Sequence, residues 1–203
     1  MQFLSLPQEI IILIASKLEA LDLAHLLQTN KFLYRILHLE LFKNNIKTTG
    51  GLAISFYAFW GYADCVQDML NLGAVVDIPN PRWRNYSPLM LALSRHHGPA
   101  VRLLIDHGAD VNLSRSPTPL ELAILMAPPD DLSMIELLLD RGAKVNLQGS
   151  RDRTALFKAV FYGNMEGVAL LLARGADVNS LLTLTRSIRP ERVQFLLDMG
   201  AKE

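Results

Sequence analysis

The sequence predicts an all-α protein, three short helices followed by a solenoid of helical repeats, and three observations carry that prediction. A Gly-Ala pair recurs behind aliphatic clusters, at Gly73-Ala74, Gly108-Ala109, Gly142-Ala143, Gly175-Ala176 and Gly200-Ala201. The successive glycines stand 35, 34, 33 and 25 residues apart, the spacing of a structural repeat. Upstream of three of them Ser87-Pro88-Leu89, Thr118-Pro119-Leu120 and Thr154-Ala155-Leu156 each open a further apolar run.

The amino-terminal segment, residues 4 to about 45, does not follow this repeat. Ser5-Leu6-Pro7-Gln8 suits a capped helix start, with Gln8 placed to reach back to the cap and Pro7 tolerated in the first turn. Ile10, Ile11, Ile14 and Leu18 then fall at helical spacing. Asp22 can cap a second short helix through Leu26 and Leu27, and Asn30 a third through Phe32, Leu33, Ile36, Leu37 and Phe42. Ile10 to Ile14 are five consecutive apolar residues, more than one helix packed on one neighbour can hide, so this segment predicts an interface.

In the repeats, Val101 with Leu103-Leu104-Ile105, Ile135 with Leu137-Leu138-Leu139, Val168 with Leu170-Leu171-Leu172 and Val193 with Phe195-Leu196-Leu197 describe helices burying one face. Each glycine stops its helix, because the first position beyond a helix is commonly left-handed and glycine has no side chain to clash there. Ser or Thr caps the other helix of each hairpin, and Pro suits its first position. A looser copy starts at Leu52-Ala53-Ile54-Ser55-Phe56-Tyr57-Ala58. The third copy inserts Ala127-Pro128-Pro129-Asp130-Asp131 between its helices, and the fifth is shortened and expected to serve as a cap.

With a period near 33, Thr-Pro-Leu openings and Gly-Ala-Asp-Val-Asn at 108–112 and 175–179, residues 49–203 resemble ankyrin repeats, as four copies and a shortened fifth. The resemblance implies a protein-binding surface of finger loops and first helices. Ankyrin repeats usually place a histidine after Thr-Pro-Leu that ties neighbouring repeats; here those positions hold Ser55, Met90, Glu121 and Phe157, so that network is lost in every copy.

Residues 1–48 resemble an F-box through Leu6-Pro7-Gln8-Glu9-Ile10, Leu18, Leu21-Asp22-Leu23, Leu26-Leu27 and Thr29-Asn30-Lys31-Phe32-Leu33. The order of the two modules is similar to that of fungal proteins. The resemblance implies that Leu6, Pro7, Ile10, Ile14, Leu18, Leu21, Leu23, Leu26, Phe32 and Leu33 bind a Skp-type adaptor. Through it the chain would join a cullin as the substrate-recognition subunit of a ubiquitin ligase. The alternative is an ankyrin scaffold or inhibitor with no link to ubiquitin, in which residues 4–45 only cap the first repeat.

Composition narrows the partners. Twenty basic residues balance 20 acidic ones in 203, half of the residues are apolar, and no long basic run occurs. Such a chain has no overall field to gather nucleic acid or anionic lipid, and neither is expected as a partner. The single cysteine, Cys65, allows no intrachain disulfide. Met1-Gln2-Phe3-Leu4-Ser5 lacks a basic leader, and Ile10 to Ala15 is too short to span a bilayer, so the cytoplasm or nucleus is expected.

No enzyme constellation emerges. His96-His97 are sequence neighbours that point apart on a helix, with no carboxylate at metal-ligand spacing, so no metal and no cofactor is expected. Cys65 has no flanking base and reads as a buried structural thiol. There is no phosphate loop and no nucleophile elbow, hence no catalytic residue.

The overlong finger Pro79-Asn80-Pro81-Arg82-Trp83-Arg84-Asn85-Tyr86 is the candidate target site: Trp, Tyr and Arg are the residue types richest in binding hot spots. Arg82, Trp83, Arg84 and Tyr86 form the set, with Arg115, Arg151 and Arg153 on corresponding loops giving a local preference for acidic segments. Trp83 either anchors a partner or packs under its own loop. A first-helix face around Tyr57, Arg95 and Tyr162 is the second candidate.

Overall fold

Four glycines set the shape of the repeats. Gly73, Gly108, Gly142 and Gly175 have φ of +90°, +87°, +87° and +86°, the left-handed region that side chains avoid. The alanine after each donates its N–H back to a carbonyl in the last turn: Ala74 to Met69, Ala109 to Leu104, Ala143 to Leu138 and Ala176 to Leu171, at 2.9–3.0 Å. This bond satisfies a carbonyl that the helix end would orphan and turns the chain sharply.

The structure is a computed structural model that describes residues 41–114, 116–128, 131–149, 153–178 and 181. These fall into two compact units divided between Ala109 and Asp110. In the first, a helical stretch over 41–49 leads into α1 (Ala53–Trp60) and α2 (Ala63–Asn71). A 3-10 turn (Pro81–Trp83) and the hairpin α3 (Pro88–Ser94) and α4 (Gly98–Asp106) follow. Here α1 packs on α2 and α3, and α4 on α2 and α3. The second holds α5 (Pro119–Met126), α6 (Ser133–Asp140), α7 (Ala155–Tyr162) and α8 (Met165–Ala173). In it α5 packs on α6 and α7, and α7 on α8. Among the described residues the regular elements are helices, with one isolated bridge between Asn80 and Tyr86.

The first helices start where Ser and Thr predict. Ser87 Oγ accepts the Met90 N–H, Thr118 Oγ1 that of Glu121 and Thr154 Oγ1 that of Phe157. α1 has Leu52 at this position and borrows its caps from the preceding helical stretch: Asn45 Oδ1 accepts the Ala53 N–H at 3.0 Å and Thr49 Oγ1 the Leu52 N–H at 3.1 Å. Phe42, 1% exposed, sets its ring 5.3 Å from that of Tyr57. The 41–49 stretch is thereby fastened to the first repeat.

The four residues at the histidine position, Ser55, Met90, Glu121 and Phe157, are all buried. In the second unit adjacent repeats are tied instead by asparagines. Asn112 Nδ2 donates to the Gly142 carbonyl at 3.0 Å while its Oδ1 accepts the Lys144 N–H at 2.7 Å. Asn146 repeats the pair with Gly175 and Asp177, at 3.1 and 2.8 Å.

His96 takes φ +58° at the turn where Gly61 and Gly163 serve their repeats, and His97 Nε2 donates to the Phe59 carbonyl at 3.1 Å. Cys65 is buried beside Val66 and Met69, and burial, with Asp68 and Asp64 adding to it, pushes its thiol up to about 12. It stays protonated and unreactive at neutral pH. Among the described residues no helix is long and apolar enough to cross a membrane, and no three His, Cys, Asp or Glu side chains gather as for a metal ion. The fifth repeat copy, around Gly200, lies outside the described residues.

Candidate protein-binding groove

The overlong finger is folded shut by its own backbone. Asn80 N–H donates to the Tyr86 carbonyl at 3.0 Å, and the Asn80 carbonyl accepts the N–H groups of Trp83 and Asn85. Asn80 Oδ1 caps the 3-10 turn by accepting the Arg82 N–H at 3.0 Å. Arg84 and Asn85 both sit at positive φ, 51° and 57°, so the chain reverses within two residues. Arg82 and Arg84 are left exposed and Tyr86 half-buried.

The closed loop swings Trp83 onto α1 rather than beneath the loop. Its indole stacks on Phe59 at 5.0 Å and 22°, and lies 6.4 Å from Phe56 at 21°. Phe59 meets Trp60 edge-on at 5.4 Å, and the Arg95 guanidinium sits over Phe59 at 4.4 Å. These contacts leave a groove of about 680 Å³, within the size range of binding clefts. Its lining comes from the 41–49 stretch (Asn45, Thr49), α1 (Leu52, Ala53, Phe56, Phe59, Trp60) and the finger (Asn80, Arg82, Trp83).

Two of the expected site residues, Arg82 and Trp83, thus line one groove. Arg153 lies in the second unit, half-buried, with its guanidinium over Phe157 at 4.6 Å. Arg115 and Arg151 lie outside the described residues, as do Leu6, Pro7, Ile10, Ile14, Leu18, Leu21, Leu23, Leu26, Phe32 and Leu33. The first-helix face needs one correction: Tyr57 is 1% exposed and belongs to the core, where burial raises its hydroxyl pKa. Arg95 and Tyr162 are exposed.

Phe56, Phe59 and Trp60 join the site only through the fold, which brings the finger against α1. Their signal in the sequence is weak: at the positions of Phe59 and Trp60 stand Ser94 and Arg95 at the end of α3 and Leu125 and Met126 in α5, but α7 carries the aromatic pair Phe161 and Tyr162 there too.

The described elements define a helical-repeat protein, in which two-helix hairpins are closed by left-handed glycines. Residues 52–149 match the family model for ankyrin repeats in three copies, and residues 151–181 match that for a single ankyrin repeat. The chain belongs to the ankyrin-repeat proteins. It is 33% identical over 121 residues to Ankyrin repeat and SOCS box protein 6 of Homo sapiens, a stretch covering 55% of this chain and 28% of that one. The Pongo abelii protein of the same name is 32% identical over the same length and coverage. The chain therefore spans less than a third of the length of the curated relatives it matches.

Proposed function

We propose that this chain is a non-catalytic adaptor that holds a target protein on its ankyrin repeats and joins a ubiquitin ligase through its amino-terminal helices. The observation that carries the target-binding half is the groove beside Trp83, where exposed and half-buried aromatic rings stand next to Arg82 and Arg95. A solvent-facing cluster of aromatic and arginine side chains has the composition of an interface hot spot. The ligase half is supported by the resemblance of residues 1–48 to an F-box, which engages a Skp-type adaptor and through it a cullin. The relatives' name, joining ankyrin repeats with a SOCS box in one chain, fits a plan of repeats plus a second module.

The bonds from Asn45 and Thr49 into Leu52 and Ala53 favour a second reading, in which the amino-terminal helices cap the first repeat of a scaffold or inhibitor. Co-purification with a Skp-type adaptor separates the two. On the ligase reading, changing Leu6 and Pro7 to Ala abolishes adaptor capture and leaves circular dichroism and melting nearly unchanged. Loss of the fold, or no capture by the native chain, overturns it in favour of the cap.

A further inference from the structure

We infer that the groove beside Trp83 takes an acidic protein segment carrying one apolar side chain, an assignment that rests on reading the chain as a target-binding adaptor. The apolar part follows from the floor, where Phe56, Phe59, Trp60 and Trp83 present ring surface. Trp60 is 41% exposed and Phe56, Phe59 and Trp83 are half-buried, so an entering side chain gains area that the fold has not already used.

The acidic part follows from the polar rim. Arg82 lines the groove, and Arg95 lies over Phe59 at 4.4 Å and 6.0 Å from Trp60, two rings of the same lining. Among the described lining residues there is no carboxylate. The neutral groups point the same way. Asn45 Oδ1 is committed to the Ala53 N–H and Asn80 Oδ1 to the Arg82 N–H, which fixes both amides and leaves their Nδ2 hydrogens to offer. The Thr49 hydroxyl is spent on the Asn45 carbonyl and the Leu52 N–H. What remains at the rim is therefore hydrogen-bond donors and positive charge, complementary to carboxylates and backbone carbonyls. The arginine over Phe59 also disfavours a cationic occupant of these rings, because it already supplies the positive charge their faces attract.

The chain's two tryptophans, Trp60 and Trp83, both line this groove, so intrinsic fluorescence reads its occupancy. The experiment titrates the full chain with three peptides of equal length: Leu flanked by Asp and Glu, Leu flanked by Lys, and the acidic peptide with Ala for Leu. Tryptophan emission and calorimetry are both recorded. The acidic Leu peptide is expected to shift the emission and to bind roughly tenfold more tightly than either of the others. Arg82→Glu should reverse the preference toward the Lys peptide with an unchanged circular dichroism spectrum. Arg102→Glu, exposed on α4 outside the groove, should leave the preference as it is.

Equal affinity for the acidic and basic peptides, no emission change, or the same effect from both charge reversals overturns the inference. Target capture from the native cell with the Arg82→Glu chain tells that failure from failure of the adaptor reading. A flat peptide panel with lost capture removes only the acidic preference. A clear peptide preference with unchanged capture removes the groove's role in target binding.

Discussion

The indole of Trp83 lies parallel to the ring of Phe59, with centroids 5.0 Å apart, and the Arg95 guanidinium lies 4.4 Å from the same Phe59 centroid. Finger loop, first helix of one repeat and first-helix end of the next are thus joined through one ring. Truncating Trp83 to Ala should therefore cost stability as well as binding, about 1–2 kcal/mol from the lost stack and buried area. For a chain of this size each kcal/mol lowers the melting temperature by about 2–4 °C. Arg82→Ala, which removes an exposed side chain, should leave melting within error. A Trp83→Ala chain that melts with the native protein would show that the stack contributes nothing.

The second unit has its own core, and Leu138 on α6 is 0% exposed within it. Leu138→Ala should cost about 2–5 kcal/mol in urea denaturation, the range for a buried leucine whose surroundings relax only partly. Glu136 on the same helix is exposed, and its change to Ala should stay within about 0.5 kcal/mol. A loss below about 1 kcal/mol for Leu138 would contradict its burial.

Asn112 and Asn146 each bridge two repeats with a donated and an accepted bond. Asn112→Ala should destabilise by about 1 kcal/mol, since net hydrogen-bond contributions are modest where water can replace them. It should also speed hydrogen exchange at the Lys144 N–H, which loses its acceptor. Asn112→Asp keeps that acceptor but sets an oxygen against the Gly142 carbonyl, so it should protect Lys144 and still destabilise. Unaltered exchange in the Ala variant would remove the bridge from the account.

The hairpins were legible in the sequence because their signals are local. A glycine at left-handed φ and a Ser or Thr at a helix start act within one turn, and Ser87, Thr118 and Thr154 cap where they stand. The Asn112 and Asn146 bridges reach 29 to 32 residues along the chain. Only the stacking of one repeat on the next reveals them. The cap on α1 was hidden for the same reason: Leu52 cannot provide one, and Asn45 lies in another element. Trp83 stood out by composition, but its choice between solvent, loop and helix depended on Phe56 and Phe59. Those two residues passed for ordinary apolar positions of a first helix.

Glu121 provides the last prediction, because its carboxylate is a charge-bearing group at a core position. It is 1% exposed, accepts the Thr118 N–H at 2.7 Å, and lies so close to Gly149 that a Cβ there would collide with it. Burial raises its pKa above the ordinary 4.5, and the Thr118 N–H, Lys158, the Thr118 hydroxyl and Arg153 only partly offset this. The native state then holds the proton more tightly than the unfolded chain, so stability falls as pH rises from 4.5 through the raised folded value. At pH above that value the desolvated carboxylate is a net cost. Glu121→Gln keeps a carbonyl oxygen for the Thr118 N–H and removes the charge, so it should be as stable as the native chain or more so at neutral pH. The fall in stability between pH 4.5 and neutrality should also be shallower. Glu121→Ala removes the acceptor and strands a buried N–H, a loss of about 1–3 kcal/mol. Urea midpoints for the three chains across that pH range decide it: a native chain whose stability rises toward neutral pH, with a Gln variant that lacks the rise and is less stable there, would mean that Lys158 and Arg153 outweigh the burial.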